Sequence, residues 1–66
     1  MKFVYLHDTH GDGVILPLDE IMWVEEETYG GKKVTDIFVR HAGTHFFIQE
    51  PIGEVWRLIL QAQKGQ

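Results

Sequence analysis

The sequence predicts a small α+β fold: an antiparallel sheet of four to five strands in β-β-β-β-α order, with one C-terminal amphipathic helix. Three observations carry this reading. Apolar and polar residues alternate through most of the chain up to Gln49, the period of half-buried strands. Glycines fall between those alternating runs, where turns are needed. From Pro51 onward the apolar spacing changes to i, i+3, i+4, i+7, the period of a helix. Sixty-six residues leave room for one domain, residues 1–66, close to the lower limit for independent folding.

Lys2 to His7 and Val14 to Leu16 read as a strand pair joined by the polar loop Asp8-Thr9-His10-Gly11-Asp12-Gly13. Gly11-Asp12-Gly13 is a turn and not a phosphate cradle, because no helix follows it and no lysine completes the motif. Pro17 cannot donate to a ladder and closes the second strand, leaving Leu18-Asp19-Glu20 as a corner before a strand from Ile21 to Glu25. Glu26 to Lys33 joins like charges to paired glycines and predicts an exposed, mobile connection. Val34 to His41 then pairs with Thr44 to Gln49 across a tight Ala42-Gly43 turn, Gly43 being the residue that tolerates positive φ. That register sets His41 against Thr44, Arg40 against His45, Val39 against Phe46, Phe38 against Phe47 and Ile37 against Ile48. One face is a core of Ile37, Val39, Phe46 and Ile48; the other is Phe38 and Phe47 framed by Asp36, Arg40, His45 and Gln49. A three-residue loop with a glycine bulge would break this separation.

The helix is expected from about Pro51 to about Gln63, with Pro51 in its first turn and Glu50 and Glu54 at the positive end of the macrodipole. Ile52, Val55, Trp56, Ile59 and Ala62 form the expected buried stripe. Leu58 and Leu60 fall outside it and widen the apolar arc to roughly 200°, more than one sheet face covers. Gln63 to Gln66 reads as a short polar tail.

Composition narrows the chemistry. Ten carboxylates oppose six Lys and Arg, a net charge of −4, and the basic residues Lys2, Lys32, Lys33, Arg40, Arg57 and Lys64 form no stripe for a phosphate backbone. The chain has no cysteine and no serine, so disulfides, thiolate metal sites and the commonest nucleophiles are excluded, and no enzyme activity is expected. Glu25-Glu26-Glu27 reads as a solvated run without assignable acid and base roles. Two loops carry histidines, His7-Asp8-Thr9-His10 and His41-Ala42-Gly43-Thr44-His45, whose His7, His10, His41 and His45 are the only candidate zinc or nickel ligands. Their spacing matches no recurrent motif, so solvated histidines, no metal and no cofactor are expected. The start at Met1-Lys2-Phe3 lacks a signal-peptide pattern and no apolar run approaches spanning length, which predicts a cytoplasmic protein with no membrane insertion.

Leu16, Ile21-Met22-Trp23-Val24-Glu25, Thr35-Asp36-Ile37, Gly43 and the run Ile48-Gln49-Glu50-Pro51-Ile52-Gly53-Glu54-Val55-Trp56-Arg57-Leu58-Ile59 stand in a characteristic order. In that order they resemble the small FlbD-like (SwrD-like) proteins associated with bacterial flagella, over nearly the whole chain. The family carries a Leu-containing strand, an Ile-x-x-Ile-Glu element, a Thr-x-Ile strand, a glycine turn and a final Val-x-Glu-x-x-x-Glu-Val-x-x-x-Ile. The two-histidine first loop, Tyr29-Gly30-Gly31, Trp23 and Trp56 depart from it. The resemblance implies a flagellum-related role in a bacterium.

With both sheet faces apolar, the sequence points to a small adaptor or regulatory module that binds a protein partner or itself as a homo-oligomer. The expected interface is Phe38, Phe47, Arg40, Trp56, Leu58 and Leu60. One alternative is an acidic inhibitor of phage type that fills a basic nucleic-acid groove with Asp19, Glu20, Glu25, Glu26 and Glu27. Another is a LytTR-like or single-strand nucleic-acid binder that stacks bases on Phe38 and Phe47, which the charge balance disfavours.

Overall fold

In the computed structural model, which describes residues 2–65, β1 (Phe3–His7) pairs with β2 (Gly13–Pro17), Val4 facing Leu16 and Leu6 facing Val14. Val4, Leu6 and Leu16 are buried, whereas Phe3, Tyr5 and Ile15 alternate onto the open side. Asp8 builds the connecting loop: its Oδ1 accepts the N–H groups of His10 at 2.9 Å and Asp12 at 3.0 Å. Leu18–Glu20 is a single 3-10 turn, the corner expected after Pro17.

The second sheet has the order β3-β4-β5, with β3 at Ile21–Tyr29, β4 at Lys32–Val39 and β5 at Thr44–Ile48. Five antiparallel strands are therefore present, but they divide into a two-stranded and a three-stranded sheet where one sheet was expected. Their backbones join at a corner, through an Asp8–Ile48 bridge and a 2.8 Å bond from the Gln49 N–H to the His7 carbonyl, while their buried side chains share one core. Pairing stops there because Asp8 turns into its own loop while Gln49-Glu50-Pro51 turns into the helix.

The segment expected as a mobile connection is two strand ends. β3 runs to Tyr29 and β4 starts at Lys32, so only Gly30 and Gly31 form the turn, with φ of 58° and 79°. Two consecutive positive φ values define the tight turn whose twist matches the flanking strands. The like charges do not oppose it, since Glu25 and Glu27 point to one side of β3 and Glu26 to the other. Gly31→Ala should therefore cost about 1–2 kcal/mol, the price of a left-handed alanine, while Gly30→Asn stays near neutral. Thermal unfolding of both variants checks this, and an unchanged midpoint for Gly31→Ala would contradict it.

The last hairpin is also corrected. Its partners are Val39–Thr44, Phe38–His45, Ile37–Phe46, Asp36–Phe47 and Thr35–Ile48, joined by a four-residue loop from Arg40 to Gly43. The Gly43 N–H reaches the carbonyls of Val39 at 2.9 Å and Arg40 at 3.2 Å, which winds the loop into one helical turn with Gly43 at φ 60°. Because the register moves by two residues, the faces survive: Ile37, Val39 and Ile48 are buried, and Phe46 packs against them.

α1 (Ile52–Gly65) closes the inner face with Val55, Leu58 and Ile59 against Val4, Leu6, Leu16 and Ile37. The buried stripe is thus rotated from the expected one. Leu58, expected outside, packs on the core, and Trp56, expected inside, is 62% exposed. Lys2 Nζ donates to the Gln63 carbonyl, a cation on the last turn of the helix. The helix continues to Gly65 through most of the stretch read as a tail; Gln66 lies outside the described residues.

Candidate interaction surface

The face of the three-stranded sheet opposite the helix gathers Trp23, Glu25, Glu27 and Tyr29 from β3, Val34, Asp36 and Phe38 from β4, and His45 and Phe47 from β5. Tyr29 and Phe47 come from the two outer strands and stack across β4, ring centroids 6.2 Å apart and planes 13° from parallel. Val34, on the same face of β4, is buried. Phe38 packs on the His45 imidazole at 4.9 Å, and His45 Nδ1 lies 2.8 and 3.0 Å from the two Asp36 carboxylate oxygens. The Trp23 indole N–H donates to Glu25 at 2.6 Å. Hydrogen bonding at Trp23 and stacking between Tyr29 and Phe47 thus orient the rings while leaving them accessible: Trp23 is 59%, Tyr29 56% and Phe47 43% exposed. Rigid aromatic area with satisfied polar neighbours is the composition of protein-binding surfaces.

Phe38 and Phe47 share this face as expected, although Phe38 stands opposite His45 and not opposite Phe47. Arg40 does not frame the pair. It lies in the loop after β4, where its N–H donates to the Glu20 carbonyl at 2.8 Å. Trp56 and Leu60 are exposed on the helix, one turn apart and away from the aromatic face, and Leu58 is withdrawn into packing. Tyr29 and Trp23 are the residues sequence reading missed. Alternation carried through Gly30-Gly31 was the signal for Tyr29.

The four histidines are not brought together. His7 Nδ1 lies 2.8 Å from Glu50, His41 Nδ1 2.8 Å from Glu20 and His45 Nδ1 2.8 Å from Asp36, three separate pairs that leave His10 in its loop. His41 Nδ1 approaches the buried Glu20 Oε1 outside hydrogen-bonding direction, so that oxygen has a close imidazole nitrogen but no aligned donor. Among the described residues, no group of three or more His, Asp or Glu gathers as a metal cage, and no helix is long and apolar enough to cross a membrane. On the helix, Arg57 grips Glu54 through Nε at 2.9 Å and a terminal nitrogen at 2.6 Å, which holds the Glu54 carboxyl below its usual value. What this exposed pair adds to stability is present at neutral pH and is lost as acid titrates the carboxyl through that lowered value.

Comparison with protein-family models, curated proteins and solved structures finds no match to this chain.

Proposed function

We propose that the chain is a non-catalytic adaptor or regulatory module of the cytoplasm, which docks the outer face of β3-β4-β5 on a protein surface, a second copy or a larger partner. The observation that supports it is a face on which Trp23, Tyr29 and Phe47 stay exposed, Trp23 held by Glu25 and Tyr29 stacked on Phe47, in a chain this short. A domain of this size gains stability by covering such a surface with another chain. The histidine–carboxylate pairs are spent singly on structural contacts, which gives general acid–base chemistry no assembled partners. The FlbD-like resemblance directs the search for a partner first to flagellar proteins. The acidic-inhibitor reading gains less, since Glu26 points away from Glu25 and Glu27 and Glu20 is engaged with His41.

The test is a pair of variants, Phe47→Ser and Phe38→Ser with Phe47→Ser, followed by sedimentation and far-ultraviolet circular dichroism on the same samples. Association should weaken about 30-fold or more, as at an aromatic hot spot, with the spectrum unchanged. Since Phe38 is half-buried, the Phe47 variant alone separates lost binding from lost folding. Wild-type protein that stays single-copy at high concentration and captures no partner through this face overturns the reading.

A further inference from the structure

β3 is the outermost strand of its sheet: β4 is its one ladder partner, and nine residues from Ile21 to Tyr29 form its other, open edge. Alongside that edge the helix leaves a groove of about 650 Å³ between itself and the inner face of β3, floored by Ile21, Val24, Ile52 and Ile59 and reached by Trp23 and Trp56. A long open edge is a row of backbone donors and acceptors that another strand can complete.

We propose that the free edge of β3 accepts, as an added strand, an extended segment of a partner protein in which apolar and basic side chains alternate. Side chains of a strand point by turns to opposite faces. On the helix side of an added strand they enter the apolar groove; on the other side they come beside Glu25 and Glu27. Like charges directly opposite each other destabilise a strand pair. A second β3 is therefore the wrong occupant, because it would lay the run Glu25-Glu26-Glu27 against its own copy in a chain of net charge −4. Basic residues on the outward positions turn the same carboxylates into the selecting feature. This edge borders the docking face proposed above and shares Trp23, Glu25 and Glu27 with it, but the face is tested at Phe47 on β5 and the edge by the peptides, so the two ideas fail independently.

Both tryptophans of the chain line the groove, which makes intrinsic fluorescence the reporter. The probe is a capped ten-residue peptide of alternating Val and Lys, compared with its Val and Glu counterpart. The basic peptide should shift the emission saturably and the acidic one should not. N-methylation of the peptide at all valines or at all lysines removes the donors of one strand edge; one of these two sets should weaken binding about tenfold or more. Glu25→Lys with Glu27→Lys should reverse the charge preference, and if that variant does not fold, the methylated peptides decide on wild-type protein. The proposal is overturned by equal binding of the acidic peptide, by indifference to both methylated sets, or by emission of the Phe47→Ser variant, whose docking face is disabled, that still changes with protein concentration alone, which would place a second copy in the groove.

Discussion

Ile37→Ala is expected to remove about 2–5 kcal/mol of folding stability. A domain of 66 residues has about 3–10 kcal/mol in total. The variant should therefore lose a large share of its stability and unfold at a much lower urea concentration than wild type. Ile37 is fully buried in the central strand, with Val24 and Phe46 as its register partners on either side and Leu6 and Val55 in the same core. Ladder bonds on both edges of β4 hold the neighbouring backbones apart, so the vacated space cannot close by a strand moving inward. Ile37→Val, which removes one methylene, should cost only about 0.5–1.5 kcal/mol. Urea unfolding followed by circular dichroism measures both, and a loss below 1 kcal/mol for the alanine variant would mean that the core does not converge on this position.

The same residue shows what the sequence makes legible. Which face Ile37, Val39, Phe46 and Ile48 occupy depends on alternation alone, and alternation survives any register shift of two. The register itself depends on how many residues the loop absorbs. Arg40 to Gly43 close a helical turn through the Gly43 N–H, a choice that Ala42-Gly43 does not announce. Glu26 to Lys33 reads as a loop for a related reason: charges adjacent along the chain look repulsive, yet in a strand they stand on opposite faces, and two glycines suffice for the turn. The helix stripe was displaced because an apolar arc of roughly 200° contains more than one acceptable seam. Val55 and Ile59 belong to both the expected and the observed seam, and the choice between Trp56 and Leu58 is made by the sheet beneath them. Of the candidate surface, Phe38 and Phe47 were readable by parity, whereas the partners of the histidines were not. Glu50 is 43 residues from His7, and no local pattern links them.

Glu50→Ala should cost about 1–3 kcal/mol and should loosen the first hairpin more than the second sheet. One carboxylate makes both bonds that matter: Oε1 accepts the His7 backbone N–H at 2.9 Å, and Oε2 lies 2.8 Å from His7 Nδ1, which donates when it carries the proton. The Glu50 carbonyl also accepts the Thr35 hydroxyl at 2.7 Å, but that contact belongs to the backbone and survives the substitution. Glu50 therefore ties the end of β1 to the corner where β5 becomes α1, at the place where the two sheets share one bridge and one further backbone bond. Removing the side chain leaves a partly buried N–H and imidazole unpaired, a larger loss than the bonds themselves contribute. Glu50→Gln keeps an acceptor for the N–H and should fall between the alanine variant and wild type. Amide hydrogen exchange distinguishes this from a general weakening: Val4 and Leu6 should exchange faster relative to Ile37 and Val39, because the hairpin can open while β3-β4-β5 stays paired. Equal acceleration across all four would show that the two sheets open together and that Glu50 is one contact among many.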